Sequence, residues 1–161
     1  MLTLKLRHIT QGALIAALYV VLTLLSALLG LASGPVQFRI SEALCVLPIF
    51  TPAAIPGLFV GCVIADVITG CAIWDAVICS LATLAAALLG YLLRRKPYLV
   101  PLPNVILNTI AVPIVLKTVY GSSSSGAILA LGVFAGEAVC SYGLGLVLFR
   151  LLEKNRSRIF K

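Results

Sequence analysis

The positions of the charged residues divide the chain into long runs without charge. Residues 9–31, 76–93 and 119–136 contain no charged side chain and are mostly apolar. A helix needs about 20 such residues to cross the hydrocarbon core of a bilayer. The pattern therefore predicts an all-α membrane protein whose long helices span the bilayer.

Clusters of proline, glycine and serine mark the ends of these helices. An Ala-Ser-Gly-Pro cluster at residues 32–35 predicts a loop or re-entrant turn, and the glycine-bracketed serine run at residues 121–126 predicts a flexible loop. Pro52 separates a short second helix from a third, because proline suits the first turn of a helix better than its interior. Pro113 predicts a kink in the fifth helix. The six predicted helices cover approximately residues 9–30, 42–50, 53–70, 74–93, 103–119 and 127–152.

The segment 41–70 is either two helices or one bent helix, since the second predicted helix is too short to cross the membrane upright. The distribution of basic residues favours two. With six passes and a cytoplasmic amino terminus, ten of the twelve lysine and arginine residues lie inside and only Arg39 and Lys117 lie outside. Five passes would separate the amino terminus from the basic cluster at residues 94–96, against the positive-inside rule. We therefore expect six transmembrane helices, the second one short, with both termini in the cytoplasm.

Composition supports a membrane protein and excludes several other classes. The 161 residues are 61% hydrophobic and 11% charged, and the mean hydropathy of +1.16 is far above that of water-soluble domains. We expect one integral membrane domain over residues 1–161, without a cleaved signal peptide, because the first apolar run is long and similar runs follow it. The net charge of +7 does not indicate a nucleic-acid partner, since no aromatic residues interleave with the basic ones. The five cysteines form no C-x-x-C pair and are interpreted as packing residues, so no metal or cofactor is expected.

Four of the five acidic residues fall on the outer half of this topology. Glu42 begins the second predicted helix, Asp66 lies near the end of the third and Asp75 begins the fourth. Glu137 lies about 11 residues into the sixth, roughly 16 Å along the helix axis. A carboxylate near the bilayer midplane is costly unless it meets a donor or a cation. Glu137 is therefore either a ligand-binding group or one half of an ion pair with Lys117.

Other side chains with binding chemistry are predicted close to Glu137. Phe134 and Ser141 lie three and four positions away and are expected on the same helix face, where they offer a ring to stack on and a hydroxyl to bond with. Asn108, in the fifth helix, either bridges two helices or reads the edge of a polar ligand. These residues form the predicted inner part of a binding site.

A second group of candidates lies at the outer surface. Trp74 and Asp75 begin the fourth helix, where an interfacial aromatic ring and an amino-terminal carboxylate are expected even without a ligand. Arg39 and Glu42 are three residues apart and are expected to pair with each other or with lipid headgroups, although they could also line a gate. All four are kept as candidate substrate-binding residues.

Small residues repeat along the first predicted helix. Gly12, Ala13, Ala16 and Ala17 form two overlapping small-x-x-x-small pairs, a pattern that lets another helix approach closely. The approaching helix belongs either to this chain or to a partner.

An enzymatic function is not expected. His8 lies at the cytoplasmic edge, so an intramembrane Ser–His pair is excluded, and the chain has no glycine-rich phosphate loop with Lys and Ser/Thr. Energy for active transport must therefore come from another subunit or from an ion gradient.

Several short motifs, taken together, are typical of a known family. They are QFRISEAL at residues 37–44, Leu47-Pro48 and PAAIPG at residues 52–57, with Gly136-Glu137, Tyr142 and Leu144-Gly145 in support. On these motifs the whole chain resembles the substrate-binding S components of energy-coupling factor (ECF) transporters, specifically the queuosine-precursor transporter (QueT) group.

The resemblance implies a six-helix bundle in the cytoplasmic membrane that binds its ligand near the outer face. It also implies docking on an energy-coupling transmembrane subunit driven by two cytoplasmic ATPases. In folds of this family, the outer ends of the last three helices and the loop after the first surround the ligand. Small residues of the first helix form the docking face, which here would contain Ala13 and Ala17.

The resemblance further implies a 7-deazaguanine ligand, such as queuine or 7-aminomethyl-7-deazaguanine. Such a ligand has a guanine-like donor edge and a cationic amine. Glu137, Asn108 and either Phe134 or Trp74 would supply a carboxylate, an amide and a stacking ring, and the acid-rich outer half would attract the cation. Two alternatives stay open: an S component for another vitamin-like micronutrient, and a non-transporting membrane scaffold that packs through its small residues.

Overall fold

The computed structural model describes residues 2–31 and 36–156, with side chains from residue 6 onward, and this part of the chain is helical apart from its connecting loops. The prediction of an all-α protein is therefore confirmed for the described residues. The elements are α1 (Leu2–Leu28), a 3₁₀ helix (Ile40–Ile49), α2 (Ala54–Ile68), α3 (Ile73–Leu92), α4 (Leu102–Thr118) and α5 (Gly126–Lys154).

The observed elements follow the six predicted helices in order. The 3₁₀ helix and α2 are separate, because the chain turns at Thr51 and Pro52 between them. The segment is thus two helices rather than one bent helix. The loop predicted at residues 32–35 and the basic tail at residues 157–161 lie outside the described residues.

Four of the helical segments are long and apolar enough to cross a membrane: α1, α3, α5, and α4 together with the short turn that begins at Pro97. The 3₁₀ helix and α2 are shorter apolar helices. At 1.5 Å per residue, the 15 residues of α2 reach roughly 22 Å. The number of crossings and the cytoplasmic position of the termini stay predictions.

The 3₁₀ helix lies at the centre of the bundle. Each of its residues from Ser41 to Pro48 is buried, and the helix packs against α1, α2, α3 and α5. The five longer helices pack consecutively, each against its neighbour in the chain. Glu42, near the start of the 3₁₀ helix, is thereby carried into the interior.

α1 and α2 cross almost at backbone contact. A Cβ on Gly57 would lie 2.7 Å from the carbonyl oxygen of Gly12, and one on Gly61 would lie 2.8 Å from the Cβ of Tyr19. Both distances are too short for a side chain. The small residues of α1 therefore hold α2 close and fix the position of the buried Tyr19.

α5 changes its helical form next to Glu137. The helix is α-helical over Gly126–Glu137, π-helical over Ala138–Leu144 and α-helical again over Gly145–Lys154. Single π turns inside α-helices occur frequently at functional sites. Here the change begins at the residue after the buried carboxylate.

Candidate functional site

Asn104 is the centre of a buried polar cluster that joins three elements. From α4, its Nδ2 atom lies 2.9 Å from Glu42 Oε2 of the 3₁₀ helix, 3.1 Å from Glu137 Oε2 of α5 and 2.9 Å from Ser141 Oγ. Asn104 is 2% exposed, Glu42 3% and Glu137 7%, so solvent contributes little to these contacts. The amide carries only two hydrogens. At any moment, one of its three acceptors therefore lacks a hydrogen from Asn104.

Neutral donors orient both carboxylates. The Tyr19 hydroxyl donates to Glu42 Oε1 at 2.6 Å. Asn108 Nδ2 donates to Glu137 Oε1 at 2.9 Å, and the Ser141 hydroxyl donates to Glu137 Oε2 at 2.8 Å. Each oxygen thus has a partner, and none of these partners carries a positive charge. The arrangement orients two carboxyl groups through uncharged donors.

The chain that precedes the 3₁₀ helix covers Glu137. A Cβ on Gly136 would overlap the carbonyl oxygen of Gln37. Glycine at this position therefore allows the loop before the 3₁₀ helix to lie directly on α5. Ile40 is tied back to α1 by the hydrogen bond from its backbone nitrogen to Ser26 Oγ, 2.9 Å long. We call residues 36–39 the covering segment.

A narrow cleft lies beneath the covering segment, with room for about one water molecule. Its lining includes Gln37, Arg39, Thr83, Asn108 and Glu137. A second void of similar size is lined by Tyr19, Glu42, Thr83 and Asn104, among other residues. Thr83 lines both spaces, so they are adjacent. A ligand larger than water can enter only if part of the surrounding structure moves.

A second charged network lies closer to the loop between α2 and α3. Arg39 Nη2 is 3.5 Å from Asp66 Oδ1. Asp75 accepts a hydrogen bond from Cys79 Sγ at 3.1 Å and one from the Tyr120 hydroxyl at 2.7 Å. Burial, together with the nearby Asp75 carboxylate, raises the pKa of Tyr120 to about 12, so its hydroxyl stays protonated and donates at neutral pH.

The structure brings together four of the predicted substrate-binding residues: Glu137, Asn108, Ser141 and Glu42. Arg39 lines the same cleft, whereas Asp75 belongs to the second network and does not line the cleft, so the structure separates it from the other predicted binding residues. Trp74 and Phe134 are not brought there. Trp74 is 68% exposed and Phe134 51%, and neither lines the cleft.

Two predicted ion pairs are not formed. Arg39 pairs with Asp66 rather than with Glu42, whose oxygens are taken by Tyr19 and Asn104. The predicted Arg39–Glu42 pair is therefore wrong, because the 3₁₀ helix turns Glu42 inward. Lys117 likewise forms no ion pair with Glu137 among the described side chains; the bonded groups around Glu137 are amides and a hydroxyl.

Sequence reasoning missed Asn104 and Tyr19. One signal for Asn104 was present, because it lies four residues before Asn108 and shares its helix face. Tyr19 could have been noticed as the first member of a polar stripe with Thr23 and Ser26 on α1. Thr23 donates to Ser41 Oγ at 2.8 Å, so this stripe faces the 3₁₀ helix.

The predicted docking residues of α1 divide into two pairs. Gly12 and Ala16 face α2, and a Cβ on Gly61 would lie 3.0 Å from the Ala16 backbone. Ala13 and Ala17 are exposed on the face of α1 that points away from the bundle. The first pair serves packing within the chain, and the second remains open to a partner.

Comparison with known proteins gives a consistent result. A family model described as QueT transporter matches residues 9–154. The queuosine precursor transporter QueT of Lactococcus lactis subsp. cremoris (strain MG1363) is 37% identical over 89 residues, which cover 55% of this chain and 52% of that protein. The matched region thus spans about half the length of the curated relative. No solved structure matches the chain.

Proposed function

Because the chain belongs to the QueT transporter family, we propose that it is the substrate-binding S component of an ECF-type importer and takes up a queuosine precursor. It is a multi-pass protein of the cell membrane. The substrate is a 7-deazaguanine, queuine or 7-aminomethyl-7-deazaguanine. ATP is hydrolysed by two separate ATPase subunits, which act through an energy-coupling transmembrane subunit.

The observation that carries this proposal is the buried Glu137 carboxylate held in place by Asn108, Ser141 and Asn104. A carboxylate in the membrane interior that is fixed by donors and open to a cleft is suited to hold a polar ligand. The 7-deazaguanines named above carry a cationic amine, and Glu137 is the acceptor for it. Asn108 and Gln37, which line the same cleft, supply amide groups for the guanine-like edge.

Entry of the ligand requires a movement, because the cleft holds about one water molecule. The covering segment is the part that moves, since it lies over Glu137 and has no regular secondary structure of its own. Its Arg39–Asp66 ion pair, 3.5 Å long, holds it in the closed position. The ligand therefore enters beneath residues 36–39 and is closed in by them.

Thermal stability of the detergent-solubilised protein tests the substrate. A ligand that binds only the folded state stabilises it by about 2.7 kcal/mol at a hundred times its dissociation constant. We expect queuine and 7-aminomethyl-7-deazaguanine to raise the melting temperature, and riboflavin and thiamine to leave it unchanged. Glu137→Gln should lose the effect, whereas the matched buried variant Asp75→Asn should keep it.

The alternative functions give different results in the same experiment. An S component for another micronutrient would respond to riboflavin or thiamine and not to the deazaguanines. A membrane scaffold would respond to none of the compounds. Either result would refute the proposed substrate.

A further inference from the structure

The buried interior carries more negative than positive groups. Four carboxyl side chains, those of Glu42, Asp66, Asp75 and Glu137, are at most 8% exposed. Among the described side chains, Arg39 is the cation that forms an ion pair with one of them, Asp66. A buried charge is costly unless it is paired. Glu42 and Glu137 are therefore two oriented carboxyl groups that form no ion pair with a cation among the described side chains.

The two carboxyl groups also have acceptor positions to spare. A carboxylate offers about four lone-pair positions. Glu42 accepts from Tyr19 and Asn104, while Glu137 accepts from Asn108, Ser141 and Asn104. The two groups together thus keep about three unused acceptor positions. This number matches the three N–H donors of a primary ammonium.

Each of the two carboxyl side chains borders a small space. Glu137 lines the cleft under the covering segment, and Glu42 lines the void behind it. Thr83 lines both spaces, so they are adjacent. A compact cation that passes Glu137 thus comes within reach of Glu42.

We infer that Glu42 and Glu137 form a two-carboxylate clamp for an ammonium group of the ligand, with Asn104 as the positioning residue that holds the two carboxyl groups side by side. This inference rests on the proposed function, and it adds that the chain selects deazaguanines by charge. The ring edge is read at the cleft, and the ammonium group lies deeper, between the two carboxyl groups.

A matched pair of probes tests the clamp: 7-aminomethyl-7-deazaguanine and its 7-hydroxymethyl analogue, which has the same shape and no charge. Dissociation constants for both are measured on the purified full chain, and the readout is their ratio. Wild type should bind the aminomethyl compound at least tenfold more tightly. Glu42→Gln should bring the ratio below threefold while still binding the hydroxymethyl compound, and Asp75→Asn, a buried carboxyl outside the clamp, should keep the wild-type ratio.

The outcomes separate this inference from the proposed function. Equal binding of both probes by wild type would overturn the clamp and leave deazaguanine binding intact. A wild-type ratio in Glu42→Gln would remove Glu42 from the site. Binding of neither probe would overturn the clamp together with the substrate assignment. If Glu42→Gln does not fold, Glu42→Asp replaces it in the test. Aspartate is one methylene shorter, so its carboxylate lies farther from the ammonium group, and the ratio of the two dissociation constants must fall at least threefold.

Discussion

Asn104 determines the geometry of the site at the scale of single residues. Its amide nitrogen connects α4 with the 3₁₀ helix and with α5 through Glu42, Glu137 and Ser141. Buried carboxylates that lose a donor retain their cost of desolvation. The side chain therefore stabilises the fold and the site through the same contacts.

Replacing Asn104 should consequently destabilise the folded protein. We expect Asn104→Leu, which keeps the branching of the side chain and removes the donor, to lower the free energy of unfolding by about 3 kcal/mol. Denaturant titration in detergent measures this value. The matched control is Asn155→Leu, because Asn155 is exposed and bonds only within its own turn, and it should change stability by less than about 0.5 kcal/mol. Equal effects of the two variants would contradict the role of Asn104.

Sequence spacing could identify only part of this site. Ser141 was expected beside Glu137, and the two side chains bond at 2.8 Å. Phe134 was expected on the same face, because it lies three residues before Glu137, but it is 51% exposed. The helix becomes π-helical at Ala138, and α-helical spacing does not describe side-chain directions across that change. The bond between Asn104 and Glu42 joins residues 62 apart, and no local pattern predicts such a contact.

At the scale of elements, the fit between the covering segment and α5 depends on one glycine. Gly136→Ala should displace residues 36–39, because the added Cβ overlaps the carbonyl oxygen of Gln37. We expect a loss of about 1–3 kcal/mol in stability and weaker ligand binding, measured by thermal unfolding with and without 7-aminomethyl-7-deazaguanine. Gly143→Ala is the control on the same helix, since a Cβ there meets no atom within 4 Å. A Gly136→Ala protein that behaves like Gly143→Ala would contradict this packing.

The order of the helices was predictable from the sequence, because uncharged runs and proline positions are local signals, whereas the 3₁₀ and π forms were not predicted. The placement of the 3₁₀ helix was not predictable either. Pro52 predicts that the helix before it is short, but burial of all residues from Ser41 to Pro48 results from packing against four other helices. This central position turns Glu42 inward and explains why the expected Arg39–Glu42 pair is absent.

For the whole molecule, the proposed topology places the loop between α2 and α3 outside the cell. Cys71 in this loop is half-buried, whereas the other four cysteines are buried. A membrane-impermeant maleimide should therefore label intact cells at Cys71, and Cys71→Ser should abolish labelling. Burial raises the pKa of the Cys71 thiol, and the thiolate is the reactive form, so the rate should be slow at neutral pH and increase toward pH 9. Labelling only after permeabilisation of the cells would contradict the proposed orientation and place Cys71 on the cytoplasmic side.

Docking on the energy-coupling subunit belongs to the same scale. Ala13 and Ala17 are exposed on α1, and a small-residue face lets a partner helix approach closely. We expect Ala13→Leu combined with Ala17→Leu to reduce co-purification with that subunit at least tenfold while ligand-dependent stabilisation is unchanged. Ala135→Leu, an exposed substitution on α5, is the control. Unchanged co-purification would place the docking face elsewhere.

The most direct test of the central claim, that Glu137 anchors a queuosine precursor, is equilibrium dialysis of the purified chain against labelled 7-aminomethyl-7-deazaguanine. The account predicts one bound ligand per chain, at least tenfold weaker binding by Glu137→Gln and binding within threefold of wild type by Asp75→Asn. Undetectable binding by wild type, or equal binding by wild type and Glu137→Gln, would contradict it.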